Sequence, residues 1–488
     1  MKKYLAVLFS VIFLLSFTVT AFAIHEDMPP DEAVVTKGPS KITLGGKIIV
    51  RGWYLNNIDG TSPSTTDSQS LYTTNAYFTI DAKVSDNLRA YMELETSNKE
   101  SNNSGVYYWG SYDTKNDMEL KFRQVWLQYT GSGMFGVPAG IKVGHMPVSL
   151  GEKIFLNNER FGDDVILAWV DPMKELHIAA GTAKLVESSN VNIGSIDHSQ
   201  DLDGYIALMT YLLNKDTTIG ANWTWAHSDS NIPSLQYPVG TFKPVTTSLN
   251  FHNFGLHGNG KIAGITYAAE ADFQTGQADG VTAETPKYSL DDRDLHFKGW
   301  ALYAKLGYDL DILKLRAAFA MGSGDDGEDR TSIKEFQAMQ GTDYTGGIAR
   351  YVHYTLLYER FIRTAAACAL LTTYPDGNVR STGIANTTYY NIGFDVKPMK
   401  QLNISLDGFL LEATETGLWE KQLESNVSKG VGSEIDAKLN YQITKNFSYF
   451  VEAGLFFPGD FYKDTSPLVN DASKKTAAMA VHGLLLQF

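Results

Sequence analysis

The chain of 488 residues contains a single cysteine, Cys368. One cysteine cannot form an internal disulfide bond, and it also excludes zinc sites built from cysteine pairs and a C-x-x-C-H haem attachment site. After residue 23 there is no run of about 18 apolar residues, so the sequence predicts no transmembrane helix. Acidic residues outnumber basic ones by 55 to 41, and the formal net charge of −14 disfavours nucleic acid as a partner.

Catalytic motifs are scarce as well. The sequence has no G-x-S-x-G and no H-E-x-x-H. The pattern G-x-G-x-x-G occurs at residues 322–327, but no helix or βαβ unit follows it, and Asp325 and Asp326 within it would repel phosphates. The sequence therefore predicts no enzyme, no cofactor and no metal site.

The N-terminal residues have the pattern of an export signal. Two lysines precede an apolar stretch that ends at Ala21-Phe22-Ala23, an A-x-A cleavage pattern. We predict a signal peptide over residues 1–23, a periplasmic lead over 24–40 and one barrel domain over 41–488, because no linker or change of period divides the rest.

Strict alternation of polar and apolar side chains is the main structural pattern. In residues 432–444, Glu434, Asp436 and Lys438 take one parity, whereas Ile435 and Ala437 take the other. Side chains of a strand alternate between the two faces of a sheet, so this segment predicts a strongly two-sided strand. The same alternation predicts eighteen strands, at residues 42–55, 72–85, 88–97, 118–130, 140–146, 165–170, 176–187, 202–213, 216–228, 246–257, 260–274, 297–309, 312–321, 384–396, 401–414, 432–444, 446–457 and 475–488.

The connections between these strands alternate in length. Turns as short as Asp86-Asn87 and Asn214-Lys215 are followed by longer stretches such as 98–117 and 229–245. Short turns on one side and long loops on the other are typical of a transmembrane β-barrel, and strands of about 9 to 11 residues suffice to cross the hydrocarbon. Successive charged residues on the inner parity also fit a hydrated lumen better than a dry sandwich core. We therefore predict an all-β transmembrane antiparallel barrel with short periplasmic turns and long extracellular loops.

The C-terminal segment agrees with this prediction. The chain ends in a mostly apolar strand that stops at an aromatic residue, Phe488. This ending resembles the final strand of bacterial outer-membrane barrels, whose terminal aromatic is recognised by the barrel-assembly machinery. It implies the outer membrane of a Gram-negative bacterium as the location and outer-membrane lipid as the surroundings.

Residues 118–170 carry a family resemblance. They resemble the alginate-export family of eighteen-stranded outer-membrane barrels, in which an Arg-Gln pair on one strand is followed by G-R-Q on the next and by Gly-acidic and Asn-Arg elements in a loop. The chain has His145-Met146 where that family has Arg-Gln, so one arginine of the pattern is missing. The matching positions are Arg123-Gln124, Gly144, Gly151-Glu152, Asn158 and Arg160.

Parity also predicts which charged residues line the lumen. Basic residues prevail on the inner face of the first five predicted strands, and acidic residues prevail later, which suggests a transverse field across a pore. A mixed lining without strong selectivity is the alternative, since the sorting is incomplete. The predicted lining and selectivity residues are Lys47, Arg51, Arg89, Arg123, Lys142, Arg160, Arg316, Glu434, Asp436 and Glu452.

Two loops are candidates for narrowing the pore. The family resemblance places the predicted loop 147–164, with Arg160, near a constriction; the alternative is a surface loop that holds its own salt bridges. The connection 322–383 contains a segment too apolar to lie free in water. It either packs into the barrel mouth as a plug or contributes an extra pair of strands, for a total of twenty.

We expect a channel for passive diffusion of small hydrophilic solutes, with anions among them, because barrels of 16 to 18 strands leave an aqueous channel. Two other functions stay open: a barrel that surrounds a redox or export partner, and an outer-membrane hydrolase. The tryptophans fit either interfacial girdles or, in a few cases, sugar stacking in the lumen. Oligomeric state also stays open, since homo-oligomer-forming faces resemble lipid-facing ones.

Overall fold

The structure is a computed structural model of the chain, and the signal predicted over residues 1–23 lies outside the part it describes. The structure describes residues 33–37, 40–58, 68–98, 107–110, 118–133, 136–186, 202–229, 248–284, 289–329, 331–340, 355–362, 384–465 and 475–488.

Eighteen long strands form one antiparallel sheet. Each strand pairs with the next one along the chain, so the order around the sheet follows the sequence. They are β1 Ser40–Asn56, β2 Ser68–Lys83, β3 Leu88–Asn98, β4 Met118–Ser132, β5 Pro138–Ser149, β6 Leu156–Met173, β7 Leu176–Val186, β8 Leu202–Asn214, β9 Thr217–Ser228, β10 Ser248–Ile262, β11 Ile265–Glu284, β12 Trp300–Leu310, β13 Leu313–Gly322, β14 Thr387–Met399, β15 Leu402–Ala413, β16 Gly430–Thr444, β17 Phe447–Pro458 and β18 Ala477–Gln487.

The sheet closes on itself. The first strand, β1, pairs with β2 on one side and with β18 on the other, in a register that runs from Lys47 opposite Gln487 to Asn56 opposite Ala478. Closure removes the two free sheet edges, whose unpaired N–H and C=O groups hydrocarbon could not satisfy. The predicted all-β antiparallel barrel of eighteen strands is confirmed.

The wall has an apolar outer face and a polar inner face. On β16, Ile435 is 48% exposed on the outside, whereas Glu434 and Asp436 on the inside are 0% and 2% exposed. The same alternation holds on β15, where Leu406 and Leu410 face outward and Asp407 faces inward. Alternate residues of each strand therefore face two different environments, one on each side of a single wall.

A row of polar side chains marks the long-loop edge of the outer face. Cross-strand neighbours on β5 to β9 place His145 opposite Asp164, Asp164 opposite Lys184, Lys184 opposite Asp203 and Asp203 opposite His227. His145 Nδ1 lies 2.9 Å from Asp164, and Lys184 Nζ lies 3.0 Å from Asp203. Charged groups tolerate the interface much better than the bilayer midplane, so this row bounds the lipid-facing band.

The tryptophans divide between the two faces. Trp223 and Trp225 lie on the outer face of β9 next to the polar row, in the position of an interfacial girdle. Trp53 and Trp126 instead point inward and are 5% and 7% exposed. The girdle prediction is therefore wrong for these two, because parity places them on the lumen side.

The connection between β5 and β6 is shorter than predicted. The predicted loop 147–164 consists largely of strand, because β5 continues to Ser149 and β6 begins at Leu156. Only residues 150–155 connect them. This lengthening places Arg160 within a strand, while its side chain lies outside the described residues.

Several short strands and helices lie outside the set of eighteen barrel strands. Two-residue strands at 332–333 and 339–340 pair in parallel with 296–297 and 156–157, so within the described residues the long connection contributes no further barrel strand. None of the helices in the described part of the chain has the length and apolar character required to cross a membrane. The other short elements are the strands Ala33–Lys37, Tyr107–Tyr108 and Ser289–Phe297, the helices Gly417–Leu423 and Asp460–Thr465, and a π-helical turn, Tyr358–Ile362.

Substitutions on β16 should distinguish its two faces. Ala437 faces outward near the middle of the strand, and we expect Ala437→Arg to lower the free energy of unfolding by about 2 to 4 kcal/mol, since it places a charge in lipid. The exposed inward residue Asn440 provides the control: Asn440→Arg adds the same charge on the lumen side and should change stability much less. Urea unfolding in lipid vesicles measures both, and equal losses would contradict the assignment of the faces.

Candidate functional site

Three segments from the long-loop side fold into the lumen. They are the β5–β6 connection at 150–155, the strand-containing segment 331–340 and the turn 355–362. Their apolar side chains are buried, and they pack with inward residues of the wall into one cluster. Ring contacts join Phe155 to Phe336 and to Phe251 of β10. These three packed segments therefore narrow the lumen, in addition to the side chains of the wall.

The 355–362 turn is held by two carboxylates of β16. The amides of Leu357 and Tyr358 donate to the two oxygens of Glu434 over 2.6 and 2.8 Å. The amide of Leu356 donates to Asp436 over 3.0 Å. Hydrogen bonds from backbone N–H groups to carboxylates are stronger than those between neutral groups, so these three bonds fix the turn to the wall. Both predicted residues lie beneath this turn rather than on open lumen surface.

Polar groups of β11 hold the other two segments. The amide of Glu152 donates to the carboxylate of Glu270. Gln274 donates to the carbonyl of Gln337 over 2.7 Å and accepts from its amide over 2.9 Å. Each inward segment is therefore anchored through its own backbone to a wall side chain.

The predicted basic residues of the early strands are mostly engaged with protein partners. Arg89 forms a bidentate pair with Asp81 over 2.7 and 2.8 Å. Arg51, which is 1% exposed, donates to Asn75 over 2.6 Å. These guanidinium groups help to build the wall, and Arg51 has little contact with the lumen.

Arg123 occupies a β-bulge. The register between β3 and β4 shifts so that Glu93 opposes Gln124 and Leu94 opposes Phe122, which leaves Arg123 as the extra residue. Its guanidinium contacts Glu93 over 2.5 Å and the carbonyl of Glu159 over 2.7 Å. A bulge re-aims a side chain relative to the pleat, and here it connects β3 to the start of β6.

Two lysines lie on aromatic rings. Lys47 Nζ is 3.9 Å from the ring centre of Tyr77, and Lys142 Nζ is 3.9 Å from that of Trp126. Trp126 also stacks on Tyr91. An ammonium over an aromatic face is attracted to it without being neutralised. Lys142 forms no ion pair with a described carboxylate, so its charge remains available to solutes.

The remaining predicted residues lie on the later strands. Arg316 of β13 donates both terminal nitrogens to Asp407 of β15 over 2.8 and 2.9 Å and lies 2.9 Å from Asp395. Glu452 is 4% exposed on β17, opposite Lys438 in the register. The structure therefore places Glu434, Asp436 and Glu452 on the neighbouring strands β16 and β17. Arg51, Arg89 and Arg123 lie on β1, β3 and β4, and only β18 separates β17 from β1.

Some functional residues were missed from the sequence. The backbone amides of 356–358 and Gln274 were not identified as parts of the site, because no local pattern indicates which amides a folded loop will present. Lys305 was not missed: parity places it on the inner face among the later acids. In the structure it is exposed on β12 and makes no ion pair with a described carboxylate.

Comparisons with known proteins support the fold. No model of a known protein family and no curated protein matches the chain, so the alginate-export resemblance gains no support from them. A BenF-like porin from Pseudomonas fluorescens Pf-5 has a similar structure, with a TM-score of 0.51 at 10% identity over 92% of this chain and 98% of that one. OccAB1 from Acinetobacter baumannii gives 0.50 at 11% identity over 95% and 99%. These two proteins share the overall fold of this chain.

Removal of the carboxylate that holds the 355–362 turn should widen the lumen. We expect Glu434→Ala to raise single-channel conductance in planar bilayers, because two of the three bonds to the wall are lost. The control is Glu412→Gln, which changes a carboxylate on the outer face of β15 and should leave conductance unchanged. Identical conductance of Glu434→Ala and the unmodified protein would show that the turn does not limit the current.

Proposed function

We propose that this protein is an outer-membrane channel for passive diffusion of small hydrophilic solutes, with a preference for anions. The observation that carries this proposal is a difference in exposure between inward charges of opposite sign. The inward acids predicted on the later strands are 0 to 7% exposed, and their partners include loop amides, arginine and asparagine; they are Glu270, Asp272, Asp407, Glu434, Asp436 and Glu452. The inward acid Asp81, whose side chain is 34% exposed, pairs with Arg89. In contrast, Lys142 and Lys305 retain exposed surface and have no carboxylate partner among the described residues.

Exposure decides the preference because a solute experiences mainly the charges it can approach. A carboxylate that is already hydrogen-bonded to backbone amides under a packed loop presents little field to the lumen. An ammonium on an aromatic face keeps its charge. A lumen with accessible positive groups attracts anions and raises their local concentration, even though the whole chain carries −14.

The mechanism that fits this geometry is electrodiffusion. Ion selectivity in wide pores depends on the charge of the lining and on the narrowest section. The inward segments at 150–155, 331–340 and 355–362 supply the narrow section, and the lysines supply the charge. No bond is made or broken in this mechanism.

The outer membrane of a Gram-negative bacterium is the location we propose, since a closed β-barrel with an apolar band suits it. Phe488 is proposed as the signal for barrel-assembly machinery; its backbone exchanges hydrogen bonds with Gly46 of β1 over 2.8 and 3.0 Å. The alginate-export relationship rests on the motifs of residues 118–170 and on the layout of the barrel. The described residues contain no feature that favours the hydrolase or the redox-sheath function.

Lysine neutralisation tests the proposed preference. We expect Lys142→Gln together with Lys305→Gln to lower the anion-to-cation permeability ratio, since two accessible positive charges leave the lumen. Zero-current potentials in a salt gradient across planar bilayers measure this ratio.

The matched control removes two lysines from the short turns, by Lys174→Gln and Lys445→Gln. It changes the net charge equally and should shift the potential little. Equal shifts for both double variants would mean that total charge rather than the lining sets selectivity, and a protein that forms no pore at all would end the proposal.

A further inference from the structure

Three neighbouring strands create a polar pocket on the inner wall. Asn222 of β9 opposes Gly255 of β10, and Gly255 opposes Asp272 of β11. A Cβ atom on Gly255 would lie 2.6 Å from Asn222 Nδ2, 2.7 Å from its Oδ1 and 2.8 Å from Asp272 Oδ1. The amide and the carboxylate therefore converge over Gly255 from both sides, in the space that its missing side chain leaves.

Several polar atoms at this pocket have no protein partner. Asn222 is 6% exposed and Asp272 is 0% exposed. Neither the oxygen nor the nitrogen of the Asn222 amide has a hydrogen-bond partner. Asp272 Oδ2 and Glu270 Oε1 accept from no protein donor, and the two carboxyl groups lie within hydrogen-bonding reach of each other. A buried polar group without a partner costs about 1 to 3 kcal/mol, so this concentration of them indicates a ligand.

The second oxygen of each carboxylate accepts a hydrogen bond from the protein. Asp272 Oδ1 accepts from Asn253 Nδ2 over 2.8 Å, and Asn253 in turn accepts from Gln274. The second oxygen of Glu270 accepts from the amide of Glu152. Both carboxylates are thereby oriented, and one oxygen of each remains free to bind something else.

The charge of the pocket is uncompensated. Glu270 and Asp272 are two residues apart on one face of β11 and interact directly, and the charge of Glu152 also acts on Glu270. Asn259 binds Glu152 over 2.8 Å, but it is neutral. Among the described residues no lysine or arginine forms an ion pair with any of the three carboxylates. Buried carboxylates this close together either share a proton or bind a cation that supplies the missing counter-charge.

We propose that the pocket binds a calcium ion through Asp272 Oδ2, Glu270 Oε1 and Asn222 Oδ1. Calcium takes six to eight oxygen ligands in flexible geometry, from carboxylates, amide carbonyls and water. Among the described residues no three histidine, cysteine or acidic side chains are grouped to hold a metal. This site needs only two carboxylates, with an amide oxygen and water completing it. It revises the expectation from the sequence that the chain has no metal site.

The ion would also stabilise the narrow section of the lumen. Glu270 binds the ion with one oxygen and the Glu152 amide with the other, so calcium orients the carboxylate that holds segment 150–155. The binding itself does not depend on transport.

The test measures binding to the purified full-length protein in detergent. After treatment with a chelator and its removal, calorimetric titration with CaCl2 should show one ion per chain. Asp272→Asn should abolish this binding. Gly255→Ala keeps every charge but fills the pocket, and it should weaken binding by at least about 10-fold. Glu434→Gln, which alters a second pair of inward acids, is the control and should bind calcium as the unmodified protein does.

Terbium luminescence and the unfolding temperature provide a second test, which needs no substitution of the residues that bind the ion. Tyr303 of β12 is close enough to Glu152 and Glu270 for their charges to act on its hydroxyl. Tb3+ bound in the pocket should therefore emit on tyrosine excitation, less so in Tyr303→Phe, and calcium should displace it. Calcium should also raise the unfolding temperature of the unmodified protein, because a ligand of the folded state stabilises it.

Two results would overturn the proposal. One is a folded, unmodified protein that neither binds calcium nor gains stability from it. The other is weak binding that Asp272→Asn and Gly255→Ala leave unchanged, which would show an adventitious ion only. Folding of each variant is verified by heat-dependent gel mobility. Calcium binding by a protein that forms no pore would retain this inference while removing the proposed channel function.

Discussion

The hydrogen bonds between β1 and β18 are the contact on which the rest of the structure depends. Without that seam the sheet would have two edges, and hydrocarbon offers no partner for their N–H and C=O groups. With it, every long strand has two neighbours, and the wall separates an apolar outside from a polar inside. The inward carboxylates, the folded segments and the accessible lysines all require that separation.

A closed barrel of this size has an interior too wide for wall side chains to fill. The chain fills part of it with three of its own segments, and these bring backbone amides into the lumen. Amides need acceptors, and the wall supplies Glu434, Asp436, Glu270 and Gln274. Acidic residues on the inner face thus serve as anchors for chain segments, whereas Lys142 and Lys305 keep exposed surface.

The two groups of inward acids differ in how many protein donors they bind. Glu434 is saturated, since both of its oxygens accept backbone amides. Glu270 and Asp272 each use only one oxygen, and Asn222 beside them uses neither amide atom. Burial is similar in both places, so the difference lies in the number of donors that the folded segments provide. An ion supplies what the protein donors do not.

The sequence by itself determined the barrel. A period of two is maintained over eighteen segments with alternating connection lengths, and this alternation indicates for each residue of the wall which of the two environments it faces. Parity alone predicted that Glu434 and Asp436 point inward and that Ile435 points outward. It could not show that 355–362 reaches these carboxylates, or that the bulge at Arg123 turns two successive residues to one face. Only the tertiary structure decided which inward charges stay accessible. Exposure inside a barrel depends on contacts between segments far apart in the chain, and a local alternation carries no information about them.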